Sequence, residues 1–539
     1  MSRIKLARNG IALGVALTEA QVLRPVGVGA AVRMSCALAG HRTNPPVLPS
    51  LSAARWPNRT AVVDDRGTVT YAELSATVDA VAGGLQRVIG AGTGDGVAVM
   101  CRNSRYFVAG LFGVLATGAD ALLLNTDFHA EALSRTLDRH HPAAVLCDAE
   151  FVPVLRSAGY TGPLVICFGS AGSIAPSVDA WLRMGVAAPA RKASGRLVIL
   201  TSGTTGIPKG VPREPGVSMI AGTAASVIHR TGLRAGAVIA VGIPMFHGFG
   251  LGIALLGITL GGKLVLRRRF DAENALATIA AHRVEMFAGV PVMLQRILAV
   301  PAEKRADHDL ASLRVVLSGG APLAPAVAEA FIATFGDVLY NGYGSSEVGI
   351  GTLATPADLR VALGTVGRPV SGTDVRILGV DGSRLPAWAV GQIYVGSALG
   401  FAGYSGGGDK ARTDGLISTG DLGYLDPGGR LFIAGRADDM IVSGGENVYP
   451  QEVENVLATH PAVCDAAVIG IEDADYGQRL VAYAVVAPGQ DIGPEELRAF
   501  LHDRVSRFQR PREIAVVPEI PRNPTGKIDR KALRASGAS

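Results

Sequence analysis

The sequence predicts an α/β protein with a large N-terminal domain and a small C-terminal one. Three observations carry this. From about residue 50 onward, short apolar strand-like runs alternate with runs at helical spacing, the pattern of helix-covered parallel sheets. Of 539 residues, 48% are hydrophobic and 18% charged, which is too apolar for a disordered chain. A break near 436 separates a hairpin-like stretch with a PGG turn, 418–436, from a fresh α/β run. The 69 glycines follow no G-x-y period, so they serve loops and close backbone approaches.

In chain order, VTYAELSATVDAVAGGLQRVI (69–89) opens as a strand and continues as a helix capped by Thr70. GDGVAVMC (94–101) reads as a buried strand and YFVAGLFGVLATGA (106–119) as an apolar helix. DALLLN (120–125), AAVLCD (143–148) and GPLVICF (162–168) are further strands. After the break come a helix (448–461), two strands (464–473 and 479–488) and a helix (495–506). This divides the chain into a leader (1–49), a large domain (50–435) and a small one (436–539), with a hinge between the last two.

The leader starts basic, with Arg3, Lys5 and Arg8, and continues GIALGVAL. It reads as a signal peptide lacking a clean cleavage site, as a peripheral amphipathic helix, or as a frayed extension. Residues 235–262 carry no Asp, Glu, Lys or Arg. They are long enough to span a bilayer, but Pro244, His247 and several glycines favour buried core plus a loop. Five scattered cysteines without a CxxC argue against a disulfide framework or zinc site and suit a reducing cytosol. Lys and Arg number 51 against 46 Asp and Glu, and aromatics make up 5%, so nothing points to nucleic acid.

The strongest motif is RLVILTSGTTGIPKG (196–210). A strand runs into a loop that offers backbone N–H groups, hydroxyls and one ammonium together, the set that phosphate oxygens want. It is not a Walker loop, because Lys209 is followed by Gly210. GAGTGDG (90–96) precedes a strand and is a loop, Arg267-Arg268-Arg269 is a solvated face, and His140-His141 lacks metal-ligand company.

TSGTTGIPKG resembles the phosphate loop of the adenylate-forming superfamily, and within it the fatty acyl-CoA synthetases. Five more of that family's signatures follow in order: SGGAPL (318–323), NGYGSSEVG (341–349), STGD (418–421), GRADDMIVSGGENVYPQEVE (435–454) and PRNPTGKIDR (521–530). The resemblance covers about residues 50–535. It implies a large domain of helix-covered mixed sheets plus a β-barrel-like part, and a small mobile α+β domain hinged at Asp438. It implies ATP, Mg²⁺ and coenzyme A as cofactor and co-substrates. Thr201, Ser202, Gly203, Thr204, Thr205, Gly206 and Lys209 would hold the phosphates. Gly319, Gly320, Ala321, Asn341, Gly342, Tyr343, Gly344 and Ser345 would line the nucleotide, with adenine against Tyr343. Glu347 and Thr201 would bind the metal, and Asp421 and Arg436 the ribose. Gly444, Gly445 and Glu446 would line the thiol's approach, although Ser443 stands where some relatives carry Lys.

By the same resemblance Lys527 is the adenylation lysine, where a compact ammonium offsets charge developing on phosphorus. His247 reads either as a core histidine or as a lid near the acyl carboxylate. Taken alone, Tyr343 would be a core aromatic, Glu347 a surface carboxylate, Asp421 a turn residue and Arg436 a surface ion pair. If 235–262 lines the acyl pocket, that pocket has no Asp to anchor a substrate ammonium. The expected reaction is therefore ligation of an apolar carboxylic acid, a medium- to long-chain fatty acid, to CoA through an acyl-adenylate. A carrier-protein acceptor or an aryl or sterol acid is the alternative. The expected location is cytoplasmic, with peripheral contact at the inner face of the membrane and a homodimer left open.

Overall fold

The computed structural model describes residues 3–41, 44–170, 175–186, 195–201, 209–213, 217–401, 403–404, 409–443, 446–473, 477–523 and 526–536. Among the described residues the strands form three sheets. The first runs, edge to edge, Leu164–Ile166, Ala144–Cys147, Gly96–Met100, Asp120–Leu123, Leu197–Thr201 and Lys209–Arg213. All its pairings are parallel except the last. The second is long and mixed. Its parallel part holds Leu339–Ser345, Val315–Gly319, Met286–Gly289, Val238–Val241, Lys263–Leu266 and Thr60–Asp64. Beyond Leu339–Ser345 it continues as an antiparallel limb through Gly349–Ala354, Thr365–Pro369, Leu431–Arg436, Leu416–Leu425, Gly391–Gly396 and Asp374–Leu378. The third sheet, at the C-terminal end, is built mainly on the long hairpin Val463–Asp473 and Gly477–Val486.

Local chemistry starts the elements where periodicity places them. Thr70 caps the helix Tyr71–Gly84, and Glu73 returns the bond in a full capping box. Ser104 caps Arg105–Thr117, which ends at the left-handed Gly118. These two helices are buried along most of their length because they fill the layer between the first two sheets. They approach so closely that a Cβ on Gly113 would stand 2.5 Å from Val81 Cγ1.

Residues 235–262 become the strand Val238–Val241, a loop, and the helix Gly248–Thr259. Most of that helix is sealed in the same inter-sheet core. Its lack of charge is explained by burial, and only its first turn is left to face the site. Among the described residues no helix is long and apolar enough to cross a membrane. The leader is two helices, Arg3–Glu19 and Val28–His41. The first packs on the helix Val217–Thr231, and its Asn9 is buried where Cβ atoms on Gly222 or Gly372 would stand 2.9 and 2.6 Å from it.

Gly84 lies under the buried Trp181, and a Cβ there would stand 2.1 Å from the indole. Gly84→Ala should therefore cost about 1–3 kcal/mol of stability by overpacking. A denaturant melt shows this as a lower midpoint at unchanged slope, and an unchanged midpoint would contradict the packing.

Candidate active site

The site lies beyond the C-terminal ends of two parallel neighbours, Val315–Gly319 and Leu339–Ser345. Their register sets Gly319 opposite Gly342. A Cβ on Gly319 would stand 3.1 Å from Gly342 O and 3.2 Å from Phe249 Cε1, and Gly320 is left-handed at φ +80°. Gly344, at a bulge, approaches its partner strand so closely that a Cβ would lie 2.1 Å from Gly349 O. The result is a flat glycine strip faced by the Phe249 ring. Ala321 follows the strip, half-buried.

Tyr343 rises from this strip and donates its hydroxyl to Asp421 Oδ2 at 2.6 Å. Asp421 and Arg436 are direct cross-strand partners, with Arg436 Nη1 3.3 Å from Asp421 Oδ1 and Nη2 3.0 Å from Asp438 Oδ2. Burial, then the neighbouring carboxylate, pushes the Tyr343 hydroxyl well above its usual pKa, so it remains a donor. Burial also lifts Asp421 above the usual carboxylate range, against the pull of Tyr343, Arg436 and Lys527. The STGD and GRADD motifs, on consecutive paired strands, thus act with the distant Tyr343 as one hydrogen-bonded unit.

Glu347 is half-buried, and its Oε1 accepts from Tyr404 at 2.7 Å. Burial raises its pKa, but bonds from Tyr404 and Ser345 and the charge of Lys410 outweigh that, leaving it below the usual range. An ionised carboxylate held in a cleft is the hard oxygen donor Mg²⁺ prefers, so the residue fits that ion.

Lys527 reaches this group from the third sheet's side of the molecule. Its loop is closed by Asn523, which accepts from Lys527 N through Oδ1 at 3.0 Å, and by Arg522, which donates to Gly526 O at 2.8 Å and grips both oxygens of Asp465. Gly526 is left-handed at φ +76°, and a Cβ there would stand 2.9 Å from Val290 Cγ2. As a residue Lys527 is exposed, but protein crowds its ammonium. That crowding lowers its pKa, opposed by Asp421 and Glu347 and reinforced by Arg436.

His247 stands at the head of Gly248–Thr259, its ring 4.5 Å from that of Phe246. Its Nε2 is buried without a partner among the described residues. Burial, then the charge of Lys527, drives its pKa down to about 3, so the ring is neutral at ordinary pH. The loop carrying it is braced by the buried Asn103, which accepts from Met245 N at 2.8 Å and donates to Ile243 O at 2.8 Å.

Several expected residues sit differently. Asn341 is buried and spends its amide on Thr365 O at 3.1 Å inside the sheet, so its side-chain nitrogen serves the sheet. Ser345 Oγ accepts from Glu347 N at 3.3 Å. Glu446 is exposed on the hairpin Ile441–Ser443 and Glu446–Val448; among the described residues no hydrogen bond or ion pair ties it to the Lys527 cluster. Thr201 and Lys209 pair across two strand ends, while Ser202, Gly203, Thr204, Thr205 and Gly206, with Gly444 and Gly445, lie outside the described residues. Motif reading missed Tyr404, Lys410 and Asn103. Their only signal is a Tyr and a Lys within GYSGGGDK and an Asn before a helix cap.

The model for the AMP-binding enzyme family matches residues 50–405, and that for the AMP-binding enzyme C-terminal domain matches 452–527. The chain is 31% identical to a fatty acid–[acyl-carrier-protein] ligase, ScoC, of Streptomyces coeruleorubidus, over 90% of this chain and 95% of that one. It is 33% identical to a 2-succinylbenzoate–CoA ligase of Geobacillus kaustophilus, over 89% and 95%. Its fold matches the Bacillus subtilis o-succinylbenzoate CoA synthetase in complex with its acyl-adenylate intermediate, with a TM-score of 0.79, 27% identity and coverage of 92% and 98%.

The buried His247 makes stability depend on pH. In the unfolded chain the ring takes a proton near pH 6.5, and in the folded one only near 3. Between those values the unfolded state binds the extra proton, so stability falls as pH falls. The melting-temperature advantage of wild type over His247→Phe should therefore shrink steadily from neutral pH toward pH ~4. Parallel curves would show that the ring titrates normally.

Proposed function

Because the chain belongs to the AMP-binding enzyme family and is an AMP-forming acid–thiol ligase, we propose that it activates an apolar carboxylic acid, foremost a medium- to long-chain fatty acid, and passes the acyl group to CoA. The observation that carries the reading is the convergence of the Lys527 ammonium, the Tyr343–Asp421–Arg436 unit, Glu347 and the neutral His247, whose Nε2 has no partner among the described residues, within reach of one another's charges.

In the first half-reaction the substrate carboxylate attacks the α-phosphorus of ATP and pyrophosphate leaves. Lys527 sits on the charge that develops there. Asp421 takes the ribose hydroxyls, Tyr343 the adenine face, and the 201–209 loop the phosphates. Glu347, with Thr201, would hold Mg²⁺, which when bound neutralises phosphate charge. A neutral His247 can donate one hydrogen bond to the substrate carboxylate without adding a cation. In the second half-reaction the small domain turns about Asp438 and withdraws Lys527; the CoA sulfur attacks the acyl carbonyl and AMP leaves with the electron pair. The uncharged first turn around Phe246–Phe249 favours an apolar tail, worth about 0.8 kcal/mol per buried methylene. An aryl acid is the second reading. It is favoured by the relatives named for aromatic acids.

Lys527→Ala should lower acid-dependent ATP–pyrophosphate exchange by roughly a hundredfold or more, while thiolysis of supplied acyl-AMP continues. Full exchange in this variant would overturn the assignment. Gly526→Ala, which meets Val290 and forces a left-handed residue to carry a side chain, should depress the same half-reaction selectively. AMP release across an acid panel, from acetate through long chains to aryl acids, with CoA present or withheld, separates the fatty from the aryl reading and CoA from a carrier protein.

A further inference from the structure

We propose that the two leader helices, Arg3–Glu19 and Val28–His41, form a docking surface for an anionic phospholipid bilayer. The helix Val28–His41 rests on Val47–Arg55 and buries only Ala37 and His41. Its outer face carries Val28, Ala31, Val32, Ser35, Cys36 and Ala39, which line one shallow apolar groove without a charged residue. Val28 is 82% exposed and Val32 57%. On the first helix Ile11 and Val15, one turn apart, are 69% and 53% exposed, while the opposite face, Asn9, Ala16 and Ala20, is buried. Water-exposed apolar side chains in this density mark an interface.

Charge selects the occupant. Residues 1–59 hold eight of the chain's Lys and Arg and a single acid, Glu19. The remaining residues hold 43 basic and 45 acidic, so the whole positive excess sits in these first 59 residues. Glu19 is itself engaged by His229 at 3.1 Å. Among the described residues no carboxylate pairs with Arg24, Arg33 or Arg55, which instead brace the helices, Arg33 through Ala54 O and Arg55 through Arg24 O. A second copy would set this excess against an equal one, whereas an anionic lipid surface attracts both the cations and the apolar side chains. The helices lie on the bilayer and do not cross it.

The test is co-sedimentation of the full chain with vesicles of equal parts phosphatidylglycerol and phosphatidylcholine, against phosphatidylcholine alone. Binding is expected only to the anionic vesicles. It should weaken roughly tenfold in about 0.5 M salt. V28D/V32D, on exposed positions, and R3Q/K5Q/R8Q should each bind roughly tenfold more weakly, since they remove the apolar and the ionic contribution separately. Both should keep wild-type acid-dependent pyrophosphate exchange, so the outcome is independent of which acid is the substrate. Failure to bind anionic vesicles, or wild-type binding by both variants, would overturn the proposal. So would a dimer in light scattering that V28D/V32D dissociates without vesicle binding, which would assign the face to a second copy.

Discussion

An ammonium in a cleft is costly to hold, because protein displaces the water that would solvate it. Lys527 is favoured there by two carboxylates, Asp421 and Glu347, and its backbone is fixed by a turn closed through Asn523. Arg522 locks that turn from behind through Asp465. Gly526 lets it press on Val290 with no side chain between. Every other feature of the site is arranged around this charge. His247 is neutral partly because of it, and the carboxyl of Asp421 is stabilised by it against burial. On the proposed reading, an incoming polyphosphate would add negative charge beside the lysine, and its departure would remove that support. A lysine so balanced suits a group that, on the proposed reading, enters for one half-reaction and leaves for the next.

The scaffold puts strands under the Tyr343–Asp421–Arg436 side and the short turn Ala437–Asp439 between that side and the third sheet. The Gly319–Gly320 and Gly342–Gly344 strip is flat because backbone and the Phe249 ring occupy the space a Cβ would need. Asp421 and Arg436 are aligned by a strand register and need no fortunate rotamers. Arg436 then bonds Asp438 in the short turn Ala437–Asp439. The next residue, Asp439, faces Arg530, which also holds Glu454 at 2.9 Å. Adjacent aspartates are thus tied to opposite sides of the turn.

Much of this was readable before any coordinates. Thr70 and Glu73 announce a capping box three residues apart, and the strand–helix alternation from Gly96 to Ile166 follows from local periodicity. Six signatures in order were enough to bring Lys527, Glu347, Tyr343 and Asp421 together as candidates. The leader was not readable in this way. Its first helix packs through Asn9 into a slot made by Gly222 and Gly372, which nothing local announces. The uncharged stretch 235–262 could be read as buried core plus a loop from Pro244, His247 and its glycines, although a helix buried between two sheets and a helix buried in lipid are equally apolar; the surrounding sheets show where it is buried.

The amino-acid sequence alone determined the class of the fold, the reaction family and the identity of the charged and hydroxylated groups, because those rest on residue types at short spacing. Tertiary structure decided how the groups serve one another. It turned the Tyr343 hydroxyl onto Asp421, left His247 neutral with Nε2 unpaired among the described residues, engaged Asn341 inside the sheet, and brought Tyr404 and Lys410 to Glu347. Burial and pairing between distant segments set each of these. A protonation state or a hydrogen-bond partner depends on what displaces water around a group, which no spacing along a single chain records.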